Sequence, residues 1–366
     1  MRRAPMLVAV ALAGLLLAAC GDDDSAGSAD TTAAAAATTA GQSDTTAPDN
    51  GEPATLRLGF FPNVTHAPAL VGIGEGVFAK QLGDNVTLET TAFNAGPAAV
   101  EALFAEALDA SFIGPNPAIN AFAKSHGEAI RIVSGTTSGG AFLVVKPEIT
   151  SAADLKGKKL ASPQLGGTQD VALRAWLADN GLKTDAQGGG DVSIAPQENA
   201  QTLDAFKQGT IDGAWLPEPW ATRLVQEGGG KVLVDERDLW PDGQWVTTHL
   251  IVRTDYLKDH PQVIRDLLAG LVESVDLANN DPAGSQKAAN DQIEAVTGKR
   301  VNDAVLSASW DNLEFTVDPI ASSLQTVADN ATKVGLLDKT DLAGIYDLTL
   351  LNEVLQSEGR EAVTQP

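Results

Sequence analysis

Apolar and polar positions alternate with a period of two along Thr55-Leu56-Arg57-Leu58-Gly59-Phe60, which predicts a strand. The loop Phe61-Pro62-Asn63-Val64-Thr65-His66-Ala67 then opens a short helix from Pro68 to Ile73, closed by Gly74 and Gly76. Gly72-x-Gly74-x-Gly76 is no dinucleotide fingerprint, because it follows a helix and not a strand. Val86 to Phe93 predicts a second strand. A helix follows from Asn94-Ala95-Gly96-Pro97 to Leu108, with Pro97 in its first turn. Asp109 to Gly114 predicts a third strand, so the region builds βαβ units on a parallel sheet. Ile130–Val133 and Ala141–Val145 read as strands, with Ser138-Gly139-Gly140 between them.

Lys159 to Leu177 reads as a strand, a loop broken at Gly166-Gly167, and an amphipathic helix. Val171, Ala175 and Ala178 fall on one face of that helix, with Ala172, Leu173 and Trp176 beside it. Val192–Ala195, Ile211–Leu216 and Lys231–Val234 predict further strands, and Gln244–Val252 a return strand. From Pro261 onward the chain reads as mostly helical, with starts near Pro261, Asp303 and Asp318-Pro319. Leu108 to Pro117 is echoed by Ile211 to Pro219: each ends a strand in Pro-x-Pro before a helix. The echo suggests two lobes built alike, each sending a strand end and a helix start into one crevice, where open α/β sheets bind ligands. The helix after Gly167 offers an uncapped N-terminus, which carries about half a positive charge and binds anions without a cationic side chain. The lysine-bearing phosphate-loop pattern is absent.

The first residues read differently. Arg2 and Arg3 precede an apolar run from Met6 to Ala19, too short to span a bilayer and fitting a secretory signal over residues 1–19. The run ends Leu17-Ala18-Ala19-Cys20, which resembles a bacterial lipobox. The resemblance implies cleavage before Cys20 and a lipid on its thiol, anchoring the protein to the extracytoplasmic face of the cell membrane. Cys20 is the chain's one cysteine, so no intramolecular disulfide can form. Residues 20–54 are rich in Asp, Ser, Thr, Ala and Gly and cannot bury enough surface to fold. As a flexible tether they span roughly 30 Å. Asp22-Asp23-Asp24 lacks the spacing of a calcium loop.

Residues 55–366 suffice for two lobes: 55–146 the first part of lobe 1, 147–246 lobe 2, and 247–366 the return crossing, the rest of lobe 1 and C-terminal helices. The net charge is -23, which makes nucleic acid an improbable partner. Local dipoles can still hold an anion, because distant surface charges are screened beyond about 10 Å. His66, His126, His249 and His260 show no metal-ligand spacing.

At this point the residues resemble a family. Gly59-Phe60-Phe61-Pro62-Asn63 with its helix, Ala102-Leu103 through Asp109, Asp154-Leu155-Lys156-Gly157-Lys158, and Asp212-Gly213-Ala214-Trp215 with Glu218-Pro219-Trp220 look like the nitrate/sulfonate/taurine substrate-binding proteins of ABC importers. The resemblance covers about residues 55 to 357 and lies in the ordered set, not in one motif. It implies an α/β, two-lobed periplasmic-binding-protein type II fold with two interlobe crossings and a C-terminal helical extension on lobe 1. The lobes close on a small solute and deliver it, as a monomer and without cofactor or metal, to a permease and its ATPase. Within the family the sequence looks closest to aliphatic-sulfonate binders. The family's cleft positions map onto Asn63, Thr65 and His66, Gly114 to Asn116, Ser138 to Gly140, Gly167 to Gln169, Trp215 and Glu218, and the Thr247-Thr248 crossing.

A sulfonate is a permanent anion with three acceptor oxygens. The N–H groups of Thr168 and Gln169, the hydroxyls of Thr65, Ser138 and Thr168, and the amide of Asn63 or Asn116 can meet it. Trp215 offers an apolar wall for a carbon tail, or packs in a core. Glu218 recognises an ammonium, as in taurine, or caps the following helix. Asp170 sits in the first helical turn and pairs with Arg174 outside the pocket. Nitrate, bicarbonate, taurine, a thiamine precursor or a flavin are rival solutes on the same fold; the last two want more stacking surface than 5% aromatic residues provide. An enzyme is disfavoured. The cysteine-rich motif of pyrimidine synthases, a Gly-x-Ser-x-Gly elbow and a His-Glu-x-x-His helix are all missing, and nothing orients His66 on Thr65. A structural or adhesive lipoprotein is the third class.

Overall fold

The computed structural model describes residues 53–364. The leader 1–19, Cys20 and all but the end of the 20–54 tether lie outside the described residues.

The first lobe begins with β1 (Ala54–Phe60), α1 (Ala67–Gly74), α2 (Val77–Leu82), β2 (Val86–Ala92), α3 (Gly96–Phe104), β3 (Ala110–Ile113), α4 (Pro115–Lys124) and β4 (Ile130–Gly139). The second holds β5 (Ala141–Val145), β6 (Lys159–Ser162), α5 (Thr168–Asp179), β7 (Ser193–Pro196), α6 (Asn199–Lys207), β8 (Gly213–Pro217), α7 (Trp220–Gln226) and β9 (Lys231–Asp235). The chain returns through β10 (Val246–Arg253), α8 (Thr254–Asp259), α9 (Pro261–Asn280), α10 (Pro282–Thr297), α11 (Asp303–Trp310), β11 (Leu313–Phe315), α12 (Leu324–Lys333) and α13 (Thr349–Ser357). The first sheet runs β11-β4-β10-β3-β1-β2 and the second β7-β6-β8-β5-β9.

The alternation read in the sequence sets the faces. Leu56, Leu58 and Phe60 of β1 are buried in one apolar cluster with α1, α9 and α13. Each such side chain contributes ~1.5–3 kcal/mol. In the second sheet the period of two splits the core. Leu143, Val145 and Trp215 fall on one face, and Phe142, Val144, Ala214 and Leu216 on the other.

Several boundaries differ from expectation. The helix expected to run to Leu108 ends at Phe104, and Glu106 beyond it takes a left-handed φ of 55°. The helix expected from Asp318-Pro319 starts at Leu324, after Ile320 turns the chain at φ 45°. The starts of α10 and α13 were not anticipated. Ala178, placed on the apolar face of α5, is exposed. Ser138 and Gly139 do not form a loop; β4 runs through them, and they pair with β10 and β11. The lobe boundary expected near Pro147 also moves, because Ala141–Val145 pairs with β8 and β9 in the second sheet. The crossing is made at Gly139 and Gly140, at φ 78° and 72°, where a side chain is strained. The return crossing lies between β9 and β10, and Thr247 Oγ1 donates to the Gly139 carbonyl, tying the crossings together.

Candidate functional site

The lobes enclose a cavity with about 30 Å³ of free volume. The first lobe supplies Phe61, Asn63, Thr65 and His66 from the turn after β1, Asn94, Ala95 and Gly96 at the start of α3, and Gly114 and Pro117 at the start of α4. The second supplies Pro163, Gly167, Thr168 and Gln169 around the start of α5, and Pro217 at the end of β8. Thr247 and Thr248 line it from β10. Among the described residues, no Asp, Glu, Lys or Arg lines this cavity.

Three helices begin at its wall. The N-caps of α3, α4 and α5 are Ala95, Gly114 and Gly167, and no side chain caps any of them. Their positive dipole ends therefore face the cavity, although Pro97 of α3 and Pro115 and Pro117 of α4 carry no N–H. At α5 open N–H groups belong to Thr168 and Gln169. Thr168 Oγ1 is buried without a hydrogen-bond partner. A buried unpaired hydroxyl costs ~1–3 kcal/mol, which a ligand oxygen would recover.

The side-chain donors are set from behind. Trp220 Nε1 donates to Asn63 Oδ1 at 2.9 Å, which leaves the Asn63 amide nitrogen for the cavity. The Phe61 N–H donates to His66 Nδ1 at 3.4 Å, so the His66 proton sits on Nε2. Burial lowers the His66 pKa to about 3, so the ring is a neutral donor. The N–H groups of Val64 and Thr65 are spent on the Glu218 carbonyl, at 3.0 and 3.4 Å. Thr248 Oγ1 donates to the Thr65 carbonyl at 2.9 Å.

Asp170 stands behind the α5 terminus. It accepts from Ser162 Oγ at 2.7 Å, the Gly166 N–H at 3.0 Å and Arg174 Nε at 2.9 Å. Asp170 and Arg174 pair at the i,i+4 spacing, as expected, and both are buried. The guanidinium cancels an acid that would repel an anion at the helix start, and the carboxylate pins the glycine loop.

Asn63, Thr65, His66, Gly114, Gly167, Thr168, Gln169 and Thr247 are thus brought together. The remaining expected residues are placed elsewhere. Asn116 Nδ2 donates to the Val327 carbonyl at 3.4 Å. Ser138 and Gly139 belong to the β4 ladder. Trp215 is no cavity wall; it is fully buried in the second lobe and donates to Glu236 Oε2 at 2.7 Å. Burial raises the Glu236 pKa to about 8. Glu218 meets no cavity. Its carboxylate accepts from Thr222 N–H and Oγ1 at 3.0 and 2.7 Å, capping α7, and from Ser309 Oγ and Asn312 Nδ2 at 3.2 and 2.8 Å. Burial raises its pKa.

Sequence reasoning missed Asn94, Phe61 and Pro163 as lining residues. Asn94-Ala95-Gly96-Pro97 was read only as a helix start, yet a helix start after a strand is what reaches the crevice. The Pro-x-Pro echo did hold a signal: Pro117 and Pro217 line the cavity from opposite lobes. Among the described residues no group of three His, Cys, Asp or Glu can hold a metal, and no helix is long and apolar enough to cross a membrane.

Two α/β lobes, two crossings and a cleft fed by helix N-termini define a solute-binding protein of the periplasmic-binding-protein type II fold. A solved alkanesulfonate-binding protein, SsuA from Xanthomonas axonopodis pv. citri bound to MOPS, superposes with a TM-score of 0.65. That match covers 79% of this chain and 96% of that one at 22% identity, and shows the fold. The chain belongs to the NMT1-like family, whose sequence model matches residues 49–292. It is 29% identical over 294 residues to the bicarbonate-binding protein CmpA of Synechococcus sp., covering 73% of this chain and 62% of that one. It is also 29% identical over 210 residues to the taurine-binding periplasmic protein of Escherichia coli, covering 57% and 62%. These relatives are binding proteins of transport systems and not enzymes, in keeping with the absence of catalytic motifs noted above.

Proposed function

We propose that this protein captures a small oxyanion outside the cytoplasm and hands it to an ABC importer. One observation carries the reading: a cavity between the lobes with no charged lining side chain, ringed by three helix N-termini without side-chain caps and an unpartnered threonine hydroxyl. Fixed N–H dipoles there favour an acceptor-rich anion and give a cation no carboxylate to pair with. Within this class a short aliphatic sulfonate fits. Phe61, Pro117, Pro163 and Pro217 give its carbon an apolar wall in place of Trp215. Taurine fits less well, since Glu218 is fully engaged elsewhere. The cavity's size favours a second reading. By the measure that allots one water roughly 10–15 Å³, 30 Å³ suits nitrate or bicarbonate without any tail.

Calorimetry with methanesulfonate, butanesulfonate, taurine, nitrate and bicarbonate tests both. Saturable heat for methanesulfonate, falling with chain length, supports the sulfonate reading, and heat for nitrate or bicarbonate alone supports the second. Silence from all five, with binding of a cationic or neutral solute, rejects the oxyanion reading. We further propose that Cys20 carries the membrane anchor. Replacing Cys20→Ser should then move the protein from the membrane fraction to the soluble one, and retention would contradict it.

A further inference from the structure

The rim of the cavity is a seam where the lobes touch, and along it Gly114 of the first lobe lies close under Thr168 of the second. A Cβ built on Gly114 would lie 2.3 Å from Thr168 Oγ1 and 3.3 Å from Thr168 Cβ. The Gly114 backbone does not itself require glycine: φ -72° and ψ 161° are open to any residue. What demands glycine is the space taken by the opposite lobe. Two contacts flank this point. Asn94 bridges the lobes, its Nδ2 donating to the Pro163 carbonyl at 3.5 Å and its Oδ1 accepting from the Asn199 N–H at 3.4 Å. On the outer side Lys333 of α12 pairs with Asp179 of α5.

We infer that Gly114 is a positioning residue for closure: its missing side chain lets Thr168 seat over it, and this sets how far the lobes shut. The inference rests on the cleft reading above but not on which anion is bound. Alanine at 114 would leave Oγ1 about 1 Å inside ordinary contact, so the clefts of such molecules stay ajar. Turning the Thr168 hydroxyl aside would relieve the clash but withdraw the donor from the cavity. Where the binding-competent closed state becomes rarer, apparent affinity falls in proportion. Opening the seam should therefore weaken capture about tenfold without unfolding either lobe.

The test uses the full chain with Cys20→Ser and spin labels on cysteines replacing Lys80 in the first lobe and Lys156 in the second, both well exposed. Interlobe distances are measured without solute and with saturating methanesulfonate, nitrate or bicarbonate. Wild type should populate a short distance that Gly114→Ala loses, alongside a tenfold drop in affinity. The double variant Gly114→Ala with Thr168→Ala should regain the short distance, because the obstructing atom is gone. A Gly114→Ala protein that closes like wild type overturns the proposal, as does a double variant that stays open. If no anion binds but the unliganded wild type shows the short distance and Gly114→Ala does not, the seam stands while the oxyanion reading falls. A wild type that never shows the short distance overturns the seam.

Discussion

Helices α4 and α5 start alike and offer different things. Each has a glycine N-cap at the cavity wall and no side-chain cap. Yet α4 opens Pro115-Asn116-Pro117, so two of its first three residues carry no N–H, and its Asn116 side chain turns to Val327. Helix α5 opens Thr168-Gln169-Asp170 with every N–H present. The first lobe therefore presents side-chain donors held from behind, Asn63 by Trp220 and His66 by the Phe61 N–H. The second presents backbone donors held by the Asp170–Arg174 pair. The residue type at a helix start, and not the helix dipole alone, sets how many open N–H groups each lobe offers to the cavity.

The strongest way to break this comparison is to remove what holds α5. Asp170→Ala leaves the Arg174 guanidinium buried without its partner, a change that costs about 3–5 kcal/mol. Urea unfolding should show the second lobe destabilised by that order; an unchanged midpoint would mean the pair does not hold the loop.

Next, Thr168→Pro makes α5 begin as α4 does. Proline is tolerated at a first helical position, and Gly167 at φ -73° and ψ 168° suits a residue before proline. The substitution removes one N–H and the Oγ1 hydroxyl. Hydrogen bonds to a charged group contribute ~1.5–3 kcal/mol each, so calorimetry should show affinity falling over about 100-fold with the fold retained. Full affinity in this variant would return the grip to the first lobe.

The two lobes should also differ in their response to pH. In the first, burial keeps His66 and His249 neutral, with pKa lowered to about 3 and about 4. The unfolded chain takes up those protons first, so stability falls as pH drops below about 6.5, by up to ~1.4 kcal/mol per unit for each histidine. In the second lobe the Glu236 pKa is raised to about 8, so the folded state keeps its proton. Its contribution is full below the unfolded value of 4.5, declines as pH rises and is gone above about 8. Protection from hydrogen exchange, corrected for the intrinsic rate at each pH, should fall in the first lobe on acidification and in the second as pH rises toward about 8. Glu236→Gln should remove the second loss, and both lobes losing protection together at one end would contradict the assignment.

The smallest effect is expected from Trp215→Phe. Trp215 packs edge-on against Trp176 and lies outside the cavity. Anion affinity should stay within about twofold, and a larger loss would restore it as a wall of the site.

What could be read in the sequence follows from local pattern. The strand–glycine–helix run at Lys159–Leu177 and the Pro-x-Pro echo are local, and both lead to the cavity. Of the two readings open for Trp215 and for Glu218, the structure bears out core packing and the helix cap; for Trp215 local pattern could not choose, because β8 is buried on both faces. Alternation then says that Trp215 opposes Ala214 and Leu216 but not which side meets the cleft. Asn116 was read as facing the cleft, and α12, more than 200 residues on, is what draws its side chain away. Local pattern separates the strands at Ser138-Gly139-Gly140 but does not make this the crossing, because that depends on β4 pairing with β11 in one sheet and β5 with β8 in the other.

The grip of α5 on an oxyanion can be observed directly by following the amide resonances of Thr168 and Gln169 while methanesulfonate, nitrate and bicarbonate are titrated in. Saturable downfield shifts of both amide protons with at least one of these anions, absent with an amine of equal size, are the predicted result. Saturable binding of any solute that leaves both amides unmoved would contradict it.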